Sequence, residues 1–434
     1  MSNILYVLLD GAEDDPNPQL GGKKPVEIAE MPYLYDRARH AFRTTGRGYT
    51  HLFLNEFFTG HPPEVPRGAL EALGLGLPIM DPKRTAYRLS PAEIGDGMVR
   101  WSYHASEFSD ELQRVMMSHM DIFDGRDPQI RFFINGRAVL TMECDDVPVT
   151  PSPPVDAPYV EIPGVLGEFI KAVADDMGGI TDYPWGCGKF GHQYPAHPCF
   201  NNLTAISDSP TSLGVCASLG QRIMLIDDLD ERFPAAVEAL EHGDVFLHID
   251  EVDEYSHQQD HEKKKWVLEH TDRMMEKHFP DVENVVYFAD HGTSCVTGEH
   301  ILTDVPVWTS IDCGIAPGTI HPLPDLVPDI AKHKRRLHGV RDTAQPGRLR
   351  RRGDCEGHTV QDMGQEGGVH LHGGKHPHVH DPGGLRGRRH AGAHHVHPRR
   401  GCGAPGKWQG HLHEGDPDQP RRHTHAGDPH HGGP

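Results

Sequence analysis

The chain has 434 residues, with 63 Asp and Glu against 42 Lys and Arg and a formal net charge of −21. That length accommodates two domains and a large core, and the acidic balance argues against nucleic acid as the main partner, because phosphate neutralisation needs Lys and Arg. No apolar run approaches the roughly 20 residues of a membrane span, the run at 4–9 has no basic flank and stops at Asp10, and the eight cysteines form no CxxC pair; the expectation is a cytoplasmic protein with reduced thiols and no membrane partner.

In chain order, an apolar strand at 4–9 ends in Asp10-Gly11 and leads through a Gly/Pro/Asp-rich loop into a helix. Pro25 at its start and the spacing of Val26, Ile28, Ala29, Leu34 and Ala38 predict that helix. From about 70 to 200 the texture changes to short strands (131–134, 138–140), Pro-rich connectors and a helix over 165–177. Strand–helix alternation resumes after about 205, with strands at 222–226, 244–249 and 284–289 and helices at 233–241 and 262–277. Such alternation predicts an α/β fold with a doubly wound, mostly parallel sheet. The expected division is a discontinuous core over 1–65 and 205–318, with an inserted α+β cap over 66–204.

From about 319 onward Gly, Pro, Arg and His dominate, and 19 of the 34 histidines fall there. A segment of this composition cannot bury enough apolar surface to offset its ordering entropy. It reads as the product of a shifted reading frame, as a disordered tail, or as a His-rich metal-buffering tract.

Three apolar strands end in hard oxygen and imidazole donors. Asp253 and His257 stand four residues apart, on one face if the segment is helical; a surface charge pair is the plain alternative. Asp290-His291 follows the apolar run 284–289, and a buried carboxylate beside a buried imidazole needs a counter-charge. A metal ion supplies one. His300 adds a donor before the apolar run 305–308, and Asp10 adds a carboxylate, unless it merely caps its loop. Asp10, Asp253, His257, Asp290, His291 and His300 are too many ligands for one ion and suit two. Mixed O/N donors favour Mn2+ or Zn2+ over Mg2+, and paired ions suit displacement at phosphorus on a small phosphorylated substrate.

These residues sit in stretches that resemble the alkaline phosphatase superfamily, and within it the archaeal-type, bisphosphoglycerate-independent phosphoglycerate mutases. The stretches are Leu8-Leu9-Asp10-Gly11, Pro25-Val26-Glu27 with Ala29, Pro32 and Leu34, the run Arg67 to Gly76, Trp185-Gly186 with Gly188-Lys189, His248-Ile249 with Asp253-Glu254 and His257, and Asp290-His291-Gly292-Thr293. The resemblance covers about residues 3–312. It implies that Asp253, His257 and His300 hold one metal, and that Asp10, Asp290 and His291 hold the other together with the nucleophile. The family's nucleophile is a Ser, yet the stretch 46–60 contains none. Thr50, ahead of a helix-like run at 51–58, is the expected nucleophile and metal contact, because a helix N-terminus offers free N–H groups to a phosphate. Related nucleotide pyrophosphatases and phosphodiesterases use Thr, with a Thr-Gly pair at the spacing of Thr59-Gly60; in the alternative Thr50 only caps the helix.

A mutase must grip both phosphate and carboxylate with Arg or Lys, and the candidates are Arg67, Arg88, Arg131 and Lys189. Trp101-Ser102-Tyr103-His104 stands where the family tends to carry consecutive arginines. The leading expectation is interconversion of 3-phosphoglycerate and 2-phosphoglycerate, in glycolysis and gluconeogenesis, through a phospho-enzyme. The alternatives are a metal-dependent phosphatase, phosphodiesterase or phosphonate hydrolase on the same core, or a catalytically degenerate relative. Oligomeric state is not legible.

Overall fold

In chain order the elements are β1 (Leu5–Leu9), α1 (Pro25–Ile28), α2 (Pro32–Arg37), β2 (His40–Thr45), α3 (Thr50–Thr59) and α4 (Arg67–Gly74), then β3 (Arg84–Gly95), β4 (Met98–Trp101), α5 (Ser109–Ser118), β5 (Gln129–Phe132), β6 (Ala138–Glu143), β7 (Ala157–Pro158), α6 (Gly164–Asp176) and β8 (Ile180–Gly188). They continue with β9 (Thr204–Ser207), α7 (Pro210–Ser218), β10 (Arg222–Leu225), α8 (Leu229–Leu240), β11 (Val245–Ile249), α9 (Glu251–His257), α10 (His261–His278), β12 (Val285–Phe288), β13 (Gly292–Thr293), β14 (His300–Ile301), β15 (Asp304–Thr309) and β16 (Ile320–His321). The structure is a computed structural model that describes residues 3–101, 108–150, 156–200, 202–330 and 332. Ser102, Tyr103, His104 and the tail from 333 onward lie outside the described residues.

The main sheet has eight strands in the order β10-β9-β11-β1-β12-β15-β2-β16. From β10 to β12 every neighbour is parallel, and β15 runs antiparallel between β12 and β2. The mostly parallel, doubly wound α/β expectation is thus the observed architecture. Strands β1, β11 and β12 are buried along their whole length, which is why they read as continuous apolar runs rather than alternating ones. β3 to β8 form a second, antiparallel sheet in the order β5-β6-β3-β4-β7, with β8 paired to β3.

Each sheet has its own apolar core. The first contains β1, β11, β12 and the phenylalanines of α3; the second gathers Tyr87, Leu89, Leu140, Phe169 and Tyr183. The second core begins in β3 and not at residue 66, because Ala69, Leu70 and Ala72 of α4 belong to the first. Two glycines explain the docking of α4 on α7. A Cβ at Gly74 would lie 2.1 Å from the Pro210 carbonyl oxygen, and one at Gly214 would lie 1.9 Å from that of Leu70. The two backbones touch where side chains are absent.

Two local expectations fail for identifiable reasons. The single helix expected from Pro25 to Ala38 is two, because Pro32 offers no N–H and turns Met31 out of the helical region (φ −120°, ψ 61°). The fold also continues past 318. β16 pairs in parallel with β2, and the helical residues 323–330 bury Leu323, Leu326, Val327 and Ile330 in the first core. That i, i+3, i+4, i+7 spacing is a helix signature, disguised in the sequence by Pro322, Pro324 and Pro328. Among the described residues no helix is long and apolar enough to cross a membrane.

Leu326→Ala should therefore lower the free energy of unfolding by about 2–5 kcal/mol in denaturant titration, whereas Leu302→Ala, at a side chain 76% exposed, should change it by less than about 0.5 kcal/mol. Equal effects would contradict this boundary of the core.

Candidate metal and phosphoryl-transfer site

The site lies where the parallel strands end, the edge at which open α/β sheets present ligands. Asp10 follows β1, Asp250 follows β11, and Asp290-His291 follow β12. α9 starts at once after β11 and carries Asp253 and His257 on one face, the β13–β14 hairpin brings His300, and β2 runs into α3, whose first residue is Thr50. Eight residues spread over 290 positions of sequence converge at one edge.

Two clusters form. In the first, Asp253 Oδ2 lies 3.2 Å from His257 Nε2 and Asp253 Oδ1 lies 3.7 Å from His300 Nε2. The two Nε2 atoms are 3.1 Å apart. Each ring donates its Nδ1–H to a backbone carbonyl, His257 to Gly298 (2.7 Å) and His300 to Gly48 (2.8 Å). That turns both Nε2 atoms toward each other and toward Asp253, the orientation of metal-ligating histidines. Burial draws the His257 imidazole down, but the Asp253 carboxylate more than offsets this and raises it to about 9.

In the second cluster, His291 Nε2 lies 3.2 Å from Asp10 Oδ1 and 3.3 Å from Asp290 Oδ2. Thr293 sets the tautomer here. Its hydroxyl donates to Asp253 Oδ1 (2.5 Å), so it accepts from His291 Nδ1–H (3.1 Å), and the Nε2 lone pair faces the carboxylates. Asp10 Oδ1 and Asp290 Oδ2 are buried and accept no hydrogen bond. Burial pushes the Asp10 carboxyl well above the usual range, and Asp290 and Asp253 push it the same way; burial draws His291 down to about 4. Orphaned carboxylate oxygens facing an imidazole lone pair fit a divalent cation. Ligand-type atoms of Asp10, Asp253 and His291 come within 4.8 Å of one another, as do those of Asp253, His257 and His300, so Asp253 belongs to both clusters.

The Thr50 hydroxyl donates to Asp10 Oδ2 (3.2 Å) and lies 3.3 Å from His291 Nε2. Tyr49, not Thr50, is the helix N-cap, so the capping alternative does not describe Thr50. Thr59 is the last residue of α3, and its hydroxyl bonds back to the Asn55 carbonyl at 2.6 Å, away from the site.

Two supports were not legible as site residues. Gly11 has φ +60°, and a Cβ there would lie 2.6 Å from both Asp253 Oδ1 and Thr293 Oγ1; a side chain would push the two clusters apart. Lys264 is fully buried, with Nζ 2.8 Å from Asp14 Oδ2, 2.8 Å from the Gly11 carbonyl and 3.0 Å from that of Thr293. Its ammonium ties the loop after β1 to the loop after β12.

A cavity of about 720 Å³ opens above Thr50, His257 and His300. Arg67, Arg88 and Arg137 line it, with Trp185, Trp101, Phe132 and Phe133. The Arg67 and Arg88 guanidiniums lie 5.0 and 4.2 Å from the Trp185 ring centre, and both bond Glu71 Oε1 (2.8 and 3.0 Å). Burial raises the Glu71 carboxyl, but Arg88 and Arg67 hold it down at about 2. Burial lowers Arg88 to about 9. Two of the expected substrate contacts fall elsewhere. Arg131 is exposed on β5 and lines no part of this cavity, because strand alternation turns it away from the face that Phe132 occupies. Lys189 is engaged by Asp145 (2.6 Å) and the Pro82 carbonyl (2.9 Å). Arg137, paired with Glu254 at 2.8 Å, is the arginine that sequence reasoning missed; it follows the turn at Ile134–Gly136, between the two expected strands.

Residues 214–316 match the Metalloenzyme superfamily. Over 366 residues the chain is 24% identical to the 2,3-bisphosphoglycerate-independent phosphoglycerate mutase of Picrophilus torridus, covering 71% of this chain and 89% of that one. It is 25% identical over 372 residues to the enzyme of the same name from Pyrococcus furiosus, with 70% and 87% covered. Among solved structures, the PH0037 protein from Pyrococcus horikoshii shares the fold, with a TM-score of 0.57 at 19% identity over 77% of this chain and 98% of that one. The chain thus carries a metalloenzyme-superfamily domain, and its relatives are enzymes named as cofactor-independent mutases.

Because His257 is protonated below about 9 in the metal-free protein, a binding ion must displace that proton. Mn2+ affinity should fall about tenfold per pH unit below 9 for each proton released, and calorimetry in buffers of different ionisation enthalpy should detect the release. Affinity independent of pH between 6 and 8 would contradict this ligand assignment.

Proposed function

We propose that this protein interconverts 3-phosphoglycerate and 2-phosphoglycerate through a phosphorylated Thr50 at a two-metal site. The observation that carries the reading is the Thr50 hydroxyl, within 3.3 Å of Asp10 and His291 at the floor of a cavity walled by three arginines. Asp253, His257 and His300 would hold one divalent ion, Mn2+ or Zn2+ in preference to Mg2+. Asp10, Asp290, His291 and the Thr50 oxygen would hold the other. Bound there, the ions would lower the hydroxyl's pKa and neutralise charge developing on the phosphoryl oxygens.

The chain's own groups do the rest. Thr50 Oγ1 gives its proton to Asp10 Oδ2, the atom it already bonds, and displaces the glycerate oxygen from phosphorus. The second glycerate hydroxyl passes its proton to the alkoxide released in the first half and displaces Thr50 Oγ1, which recovers its proton from Asp10 Oδ2, so one P–O bond forms and one breaks in each half. Arg67 and Arg88 supply fixed guanidinium donors for the substrate's second anionic group, and their stacking on Trp185 keeps them oriented. The glycerate must stay bound and water must stay out between the halves. A cytoplasmic place in glycolysis and gluconeogenesis belongs to this reading.

A second reading, a phosphatase, phosphodiesterase or phosphonate hydrolase on the same core, draws on two observations: Thr stands where the family has Ser, and Trp101, Phe132 and Phe133 give the cavity more apolar wall than a three-carbon acid covers. A degenerate relative is disfavoured by the convergence of the donor set.

With Mn2+ supplied, the protein should form phosphoenolpyruvate from 3-phosphoglycerate in the presence of enolase, without releasing phosphate; phosphate release instead would establish the hydrolase. Thr50→Ala should cut kcat at least about 10³-fold, and unchanged turnover would remove Thr50 as nucleophile. Arg67→Ala should raise KM about 10- to 100-fold with a smaller change in kcat, read from steady-state kinetics; an unchanged KM would place the substrate's anion elsewhere.

A further inference from the structure

His248 is fully buried on β11 and stands apart from the ligand set. Its Nε2 lies 2.7 Å from Asp10 Oδ2 and 3.5 Å from Asp250 Oδ1. Ligand-type atoms of Asp10, His248 and Asp250 all lie within 4.8 Å of one another, which on distance alone is a third candidate ion site. The hydrogen bonds around the ring decide against it. Ser207 Oγ accepts the Ser209 N–H at 2.8 Å and lies 2.8 Å from His248 Nδ1. At 2.7 Å the Asp10 carboxylate oxygen can only be accepting, so the ring N–H lies at Nε2, and the Ser207 hydroxyl, which can accept from Ser209 and still donate, gives its proton to Nδ1. An ion there would have to displace the proton that holds the 2.7 Å bond to Asp10. The other three imidazoles have the opposite arrangement, each donating through Nδ1 and presenting Nε2.

We propose that His248, oriented by Ser207, is a positioning residue that fixes the rotation of the Asp10 carboxylate, so that Oδ1 faces the ion shared with His291 while Oδ2 faces Thr50. Asp10 has two oxygens and two tasks. Oδ2 accepts from His248 and from Thr50, and Oδ1 accepts no hydrogen bond and points at His291 Nε2. Without the His248 bond the carboxylate can rotate and exchange these roles. The backbone behind the imidazole is itself braced, because the fully buried Arg232 donates to the His248 carbonyl at 3.1 Å and pairs with Glu251 at 2.8 Å. This inference rests on Asp10 being a metal ligand, as in the function proposed above, but not on the identity of the substrate.

The test is calorimetric titration of Mn2+ into the metal-free full-length protein, in the wild type and in a His300→Ala background that leaves the Asp10 side as the stronger site. The wild type should bind two ions. His248→Phe should weaken the Asp10-side site about 10- to 100-fold and leave the Asp253–His257–His300 site within about twofold. His248→Gln, which restores an N–H donor, should recover most of that loss, and Ser207→Ala should fall between the two. If His248→Phe fails to fold, His248→Gln and Ser207→Ala still carry the comparison. A third ion lost in His248→Phe would show that the imidazole coordinates rather than positions. Equal weakening at both sites, no weakening, or no ion bound by the wild type would each overturn the proposal. Failure of the enolase-coupled assay with the two-ion pattern intact would overturn the mutase reading and leave this one standing.

Discussion

The arrangement of this protein follows from one electrostatic constraint: too many carboxylates and imidazole lone pairs are gathered in one buried place. Asp10, Asp253 and Asp290 are each at least nine-tenths buried, and His291 is fully buried. Carboxylates crowded away from water either protonate or find a cation. Without an ion only Asp253 finds relief, from the His257 it holds protonated, and Gly48, Gly298 and Thr293 hold the three rings with Nε2 turned into the site. Hydrogen bonds that would otherwise satisfy the site are instead spent on holding its lone pairs inward. An arrangement so costly on its own is intelligible as one half of an ion-binding equilibrium.

The fold meets this constraint by topology. Parallel strands deliver Asp10, Asp250 and Asp290 to the same edge, and the short α9 adds Asp253 and His257 directly after β11. Thr293 bridges the clusters by donating to Asp253 while fixing His291. Gly11 keeps that bridge unobstructed, and Lys264 pins the two loops that carry it. The substrate face is built between α4 and the second sheet, where Glu71 of α4 holds Arg67 and the β3 residue Arg88 against Trp185 of β8. One carboxylate shared by two guanidiniums leaves a net positive charge facing the cavity, which suits a substrate with a second anionic group.

Much of this was legible in the sequence because the signals were local. Apolar runs ending in Asp marked β1, β11 and β12, and Asp-His spacing marked the ligands. Thr50 stood out through the resemblance, as the hydroxyl at the start of the helix-like run 51–58. What escaped depended on partners distant in sequence. His248 lay inside a recognised motif, yet its role is set by Ser207, 41 positions away. Arg137, between the strands expected at 131–134 and 138–140, carries no local signal; its pairing with Glu254, 117 positions away, is what places it at the cavity. The helical segment at 323–330 was hidden by prolines, although its apolar spacing was present.

The most direct measurement of the central claim is anomalous X-ray diffraction from crystals of the protein loaded with Mn2+. The account predicts two peaks, one bounded by Asp253, His257 and His300 and one by Asp10, Thr50, Asp290 and His291. Density for a single ion, or a peak between Asp10, His248 and Asp250, would contradict it.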